Sequence, residues 1–138
     1  MTKDEARRAI VQYWMTKAET ALSSAHSEYA AKRYDFAVNR AYYACFYSAS
    51  AVLLQLGQQF VKHAGVRAAV HRNFVKTGKI DPQWGKAYDR IFENRQSADY
   101  LELHEFKDAE VATLLDEAEA FTKEMKRLLA GTPRTPQG

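Results

Sequence analysis

The sequence predicts an all-α protein, an up-and-down antiparallel bundle of about five helices, and three observations carry that expectation. Residues 1–56 hold neither glycine nor proline, where average usage of roughly 12% for the pair would place about six or seven. Apolar residues recur at helical spacing between the later breakers, and no stretch shows the period of two that marks a half-buried strand. The chain has 138 residues, enough for a single core and too few for a two-domain enzyme. We expect one domain over residues 1–131 and a flexible C-terminal tail over 132–138, which holds Pro133 and Pro136.

The first helix opens at Thr2 and Glu5, which have capping-box spacing, and its expected inner face reads Ile10, Trp14, Ala18, Ala21, Ala25 and Tyr29. A break falls at Lys32 to Tyr34. Asp35 is placed to cap a second, aromatic-rich and central helix, whose stripe reads Phe36, Arg40, Tyr43, Tyr47, Ala51 and Leu54 until Gly57 stops it. Gln58 to Lys62 reads as a loop, and His63 to Lys76 as a third helix with Val66, Val70 and Phe74 inward, ended by Thr77-Gly78. After Asp81-Pro82 the run Trp84, Tyr88, Ile91, Phe92 and Arg95 has helical period, which sets an arginine on the continuation of an apolar stripe. A fifth helix runs from Asp108 to Leu129 with Val111, Leu114, Leu115, Ala118, Phe121, Met125 and Leu128 inward.

Composition excludes several classes. Hydrophobic residues make up 46% and charged residues 27%, values of an ordinary globular chain, and the apolar runs are too short for a bilayer, so no membrane partner is expected. Cys45, the single cysteine, has no internal disulfide partner, and Asp4 and Glu5 interrupt any signal segment, so a reducing, cytoplasmic setting is expected. The four histidines, His26, His63, His71 and His104, lack metal-ligand spacing, and we expect no protein-held metal. Gly57, Gly65, Gly78 and Gly85 are scattered rather than gathered into a phosphate loop, which argues against a nucleotide-hydrolysing or dinucleotide enzyme; no cofactor is expected. The serines lack a glycine-rich elbow.

Charge is distributed unevenly. The net charge of +3 permits a nucleic-acid partner without demanding one. Between Val61 and Ile80 lie Lys62, Arg67, Arg72, Lys76 and Lys79 with His63 and His71 and no acid, whereas Glu102 to Glu124 carries eight carboxylates against two lysines. Two readings follow: the third helix faces the acidic fifth, within the molecule or across an oligomer, or it presents a phosphate-binding ridge. In the segment Glu93 to Tyr100, Arg95 and Asp99 stand at i, i+4 and Tyr100 one step further round. This can be an intrahelical ion pair beside a packed tyrosine. It can equally be a guanidinium set to grip a phosphate at a subunit seam, with Asn94 and Glu93 beside it, since an arginine on an apolar stripe demands a partner.

The run from Asp35 to Tyr47 containing Asn39-Arg40-Ala41-Tyr42-Tyr43, then His63-Ala-Gly-Val-Arg67, Phe74-Val-Lys-Thr-Gly78, Arg95-x-x-Ala-Asp99-Tyr100 and an acidic last helix resembles the HEPN domain family. The likeness covers about residues 10–128 and is strongest to the small stand-alone prokaryotic branch often encoded beside a minimal nucleotidyltransferase. It implies an antiparallel bundle, usually a homodimer, many of whose members are metal-independent endoribonucleases acting as toxins of toxin–antitoxin pairs or in defence systems. Active members carry R-x4-6-H on the penultimate helix. Arg95 and Gln96 fit, but Tyr100 stands where the histidine belongs; His104 lies nine positions after Arg95, and His71 only four after Arg67.

In such cleavage a 2′-hydroxyl attacks the neighbouring phosphate, so one group must take its proton and another must stabilise charge on the phosphorus, the latter being Arg95's task. With a reference pKa near 10, tyrosine is a poor base, although Tyr100 can donate to a phosphate or accept a nucleotidyl group. The expected catalytic candidates are therefore Arg95, Asp99 and Tyr100, and the nucleotide- or RNA-binding candidates Asn94, Gln96, Arg40, His63 and Arg67. Three functions remain open: a ribonuclease toxin with paired motifs across a dimer axis, a non-catalytic nucleotide- or RNA-binding module, and a protein-binding partner of a nucleotidyltransferase or of a toxin. The aromatics Tyr13, Trp14, Tyr42 and Phe46 are expected in the core rather than on a surface.

Overall fold

The computed structural model describes residues 1–100 and 104–131, the side chains of 98–100 excepted. Five α-helices follow in order: α1 (Lys3–Ala30), α2 (Tyr34–Gln55), α3 (His63–Val70), α4 (Pro82–Tyr100) and α5 (Asp108–Leu129), with one π-helical turn, His71–Val75, continuing α3. No strand occurs among the described residues. The all-α bundle is therefore the fold, with α2 at its centre against α1, α3, α4 and α5.

Each boundary has a local cause. The Thr2 hydroxyl accepts from the Glu5 amide at 3.1 Å, capping α1. At its other end Lys32 is left-handed, φ 61°, and the Lys32 and Arg33 amides turn back to the carbonyls of Tyr29 and Glu28. This is the reversal a glycine usually supplies, and Gly57 supplies it after α2. Helix α2 starts two residues earlier than Asp35 would set it: Arg33 is the N-cap, without a side-chain bond, and Asp35 lies in the first turn. The expected third helix divides, α-helical to Val70 and then widened by one residue per turn, with the Lys76 amide donating to the His71 carbonyl at 2.8 Å. Against this wide turn α4 presents Gly85, where a Cβ would meet Val75 Cγ2 at 2.7 Å and His71 Cε1 at 2.9 Å. The backbones approach there because no side chain intervenes.

The core has two textures. Ala18, Ala21 and Ala25 of α1 and Ala37, Ala41 and Ala44 of α2 are buried, and side chains this small let helices lie close together. On the other side of α2 the filling is bulky: Tyr42, Tyr88, Phe74 and Phe121 are fully enclosed, with Tyr88 and Phe121 rings 5.3 Å apart. Helix α5 buries its expected face from Val111 to Met125. Its first residue, Asp108, accepts the hydroxyls of Tyr29 at 2.6 Å and Tyr34 at 2.7 Å, tying the α1–α2 corner to α5. Those two bonds hold the Asp108 carboxyl below its usual range, and the same carboxylate raises the Tyr34 phenol to about 12.

Two expected faces are corrected. Ile10 and Tyr13, both expected inward, are 46% and 58% exposed and Val11 and Met15 are buried instead, while Phe36 is 54% exposed and Tyr42, expected in the core though off the stripe of α2, is fully buried. Within the chain the acidic α5 does not receive α3. Helix α3 packs on α2 and α4, and α5's Glu117 pairs with Arg90 of α4 while its Glu124 pairs with Arg127 of its own last turn.

Candidate functional site

Three segments converge where the central helix carries Tyr42 and Tyr43. Tyr42 turns its ring into the core, edge-on to Tyr88 and Phe92 at centroid distances of 6.3 and 5.9 Å. Its hydroxyl oxygen lies 2.6 Å from Nδ1 of His63, the first residue of α3. The imidazole also stacks on Phe46, centroids 4.4 Å apart at 18° between planes, and meets Tyr43 edge-on at 5.9 Å. The Gln58–Lys62 loop brings this ring to α2.

From α4, Arg95 reaches the same two tyrosines. Its guanidinium carbon sits 5.2 Å from the centre of the Tyr42 ring and 5.7 Å from that of Tyr43, and Nη2 donates to the Tyr43 hydroxyl at 3.4 Å. A guanidinium laid on ring faces is held through its plane while its N–H groups radiate from its edge. Burial, and then the positive charge of Arg95, lower the His63 pKa from its ordinary value, so the imidazole is neutral at pH 7. Burial drives the Tyr42 phenol well above its ordinary pKa, so it keeps its proton. The cluster therefore combines a fixed cation, a neutral imidazole and two phenols.

The other expected site residues lie at varying distance from this centre. Arg40, one turn before Tyr43, is half-buried and donates to the Asn39 side chain at 2.6 Å. Asn94 donates to the Arg90 carbonyl at 2.7 Å, and Gln96 is exposed. The side chains of Asp99 and Tyr100 lie outside the described residues, as do residues 132–138 of the expected tail; the backbone of α4 continues through Tyr100. Arg67 belongs to a separate network. It donates to Asp89 at 2.7 Å and to Glu93 at 3.1 Å and lies over the Phe92 ring at 4.7 Å, while His71 Nε2 is 2.9 Å from the same Asp89 oxygen. Burial alone would raise the Asp89 pKa, but the bonds from His71 and Arg67 outweigh it and lower the value.

His26 and His104 stand 3.9 and 3.8 Å from Glu119 and Glu110. His63 is thus the histidine whose described neighbours are those of Arg95. Among the described residues no group of three or more His, Cys, Asp and Glu side chains could hold a metal ion. Tyr43 and Phe46, which border this cluster, were read from the sequence as stripe and core residues rather than site residues; the signal that could have placed Tyr43 is the Asn-Arg-Ala-Tyr-Tyr string itself, whose second tyrosine meets Arg95.

Comparison with known proteins matches this architecture. The HEPN domain family matches residues 11–128. The chain is 42% identical over 128 residues to "UPF0332 protein" of Thermotoga maritima, covering 93% of this chain and 97% of that one. Two proteins of Methanocaldococcus jannaschii are also similar: "Putative toxin MJ0142", 34% identical with 82% of this chain and 77% of the relative covered, and "Putative toxin MJ0605", 35% identical with 88% and 90% covered. By this match, by relatives that span nearly its whole length and by its helical bundle, the chain belongs to the HEPN domain family.

Proposed function

We propose that the protein acts on RNA as a metal-independent endoribonuclease of a toxin-like system, with Arg95 binding the phosphate at which the chain is cut. The observation that supports this most directly is the placement of Arg95 over Tyr42 and Tyr43 beside a neutral His63. A phosphorane develops negative charge on its equatorial oxygens, and a guanidinium held by rings is already oriented to meet that charge without reorganising. Tyr43, whose hydroxyl shares the Arg95 edge, is positioned to donate to the same phosphate. Cleavage by the 2′-hydroxyl leaves a 2′,3′-cyclic phosphate and draws on these groups alone.

The resemblance to toxin-named relatives adds the expectation of growth arrest on expression. The reading also takes the protein as a homodimer, so that two Arg95 sites face one RNA, and as the partner of a second protein that restrains it. The test is induced expression of the wild-type chain and of Arg95→Ala, scoring growth and the integrity of total RNA. Arrest with RNA fragmentation, both lost in Arg95→Ala, is the expected result. Intact RNA in arrested cells would replace ribonuclease action with a binding role.

A further inference from the structure

The cluster around Tyr42 and Tyr43 contains a group suited to the proton transfer that phosphate binding alone does not provide. We propose that His63, entering from α3, is the proton acceptor of the reaction, working across the cluster from Arg95 of α4. The inference rests on the RNA-cleaving reading of this cluster and deepens it. Three geometric facts carry it. The ring is fixed on one face by Phe46, with planes only 18° apart. One nitrogen, Nδ1, is anchored by the Tyr42 hydroxyl at 2.6 Å. The guanidinium of Arg95 lies over the two tyrosine rings that the imidazole also touches, so cation and imidazole border the same pair of rings.

In the tautomer that donates from Nδ1 to the Tyr42 oxygen, Nε2 keeps its lone pair and can accept a proton. Nε2 takes the proton of the ribose 2′-hydroxyl as the 2′-oxygen forms its bond to phosphorus. The bond from phosphorus to the 5′-oxygen breaks, that oxygen leaves with the electron pair and is protonated by water, and the imidazolium returns its proton to solvent. Atoms and charge balance with no oxidant, reductant or metal.

The electrical surroundings fit a base. Facing His63 are Arg95 from α4 and the phenols of Tyr42 and Tyr43 from α2. On its own segment Lys62 precedes it and Arg67 follows one turn later, the latter engaged with Asp89 and Glu93. Among the described residues the groups around the ring are cations and phenols, and burial with the charge of Arg95 favours its neutral, proton-accepting form over the imidazolium.

The test is cleavage of a short single-stranded oligoribonucleotide by the full chain across pH, comparing wild type with His63→Ala, His63→Gln and Tyr42→Phe. A 2′-O-methyl version of the same oligonucleotide, which cannot react, measures binding. Wild type should lose activity as pH falls, with a midpoint below the ordinary histidine value of about 6.5. His63→Ala should cut at least 100-fold more slowly, lose that acid limb, bind the methylated oligonucleotide within threefold of wild type, and recover part of its rate in added imidazole. Tyr42→Phe keeps the base but frees Nδ1, so it should shift the limb and retain more activity than His63→Ala. If His63→Ala does not fold, His63→Gln, which can still bond Tyr42, gives the same reading. A histidine-free variant that cleaves within threefold of wild type with an unchanged acid limb overturns the assignment; loss of cleavage in Arg95→Ala would then still uphold the cluster as the site. A wild-type chain that binds the oligonucleotide but leaves it intact at every pH overturns both.

Discussion

Arg67 and Arg95 border the same aromatic cluster and are held in opposite ways. Arg67 lies over Phe92 and is clamped by Asp89 and Glu93, with His71 on the same Asp89 oxygen. Arg95 lies over Tyr42 and Tyr43, touches a phenol oxygen, and has His63 across the rings from it. The first gathers Arg67 and His71 of α3 and its π-helical turn on a carboxylate of α4; the second sets Arg95 of α4 and His63 of α3 against the same tyrosines of α2. Carboxylates turn the first into a fastening, because the network's charges are balanced before any ligand arrives. Phenols and ring faces hold the second guanidinium through its plane, which orients its charge along the rings.

The largest effect should separate the two arginines by kind of loss. Arg95→Ala should lower RNA cleavage by two to three orders of magnitude, about 3–4 kcal/mol of transition-state stabilisation, with little change in melting temperature. A variant that melts early and cleaves normally once folded would erase the distinction. Asp89→Asn tests the other side. It leaves Arg67 and His71 without their shared anion and should cost about 1–2 kcal/mol of stability at neutral pH while cleavage per folded molecule is retained. The sign of its pH dependence is set by the lowered Asp89 pKa. The stabilisation is complete above the unfolded aspartate value near 3.9 and is lost as pH falls through the lower folded value, so wild type and variant should converge in acid. Denaturant titrations at pH 7 and pH 3 would show a larger gap at the first than at the second.

Gly85→Ala probes the same fastening from its backbone side. The added methyl meets Val75 and His71 at under 3 Å, so α4 and the π-helical turn must separate, at about 1–2 kcal/mol in thermal unfolding. Retention of wild-type stability would mean the seam adjusts freely and fastens little. The smallest effect lies outside both regions and sets their scale. Lys32→Gly relieves a left-handed lysine and should change stability by no more than about 1 kcal/mol, in the stabilising direction, with cleavage untouched.

Legibility in the sequence varied with how many neighbours an element has. Helix α5 packs along one face, and its repeat of Val111, Leu115, Ala118 and Met125 located both the helix and its inner side. Helix α2 is covered on nearly every side, with Ala37, Val38, Ala41, Tyr42, Ala44 and Cys45 all buried. A single-stripe reading has no unique phase there, so Phe36 was expected inward and is exposed. Arg95 stood out because a cation interrupts an apolar stripe, a conflict visible within one helix. The association of His63 with it depends on a loop and on packing between three helices, and no spacing along the chain encodes that. The partners of Arg67 were hidden for the same reason: Asp89 and Glu93 lie on α4, whereas the nearest large excess of carboxylates in sequence terms lay on α5.

Cys45 lies in the middle of α2, fully enclosed, and burial pushes its thiol far above the ordinary range. A thiol in that state does not react while the bundle is closed. The chain holds no other cysteine, so a thiol-reactive dye can mark only molecules whose central helix has come away from its neighbours. The labelling rate in native buffer is then a clock for opening of the bundle, read from the unaltered protein.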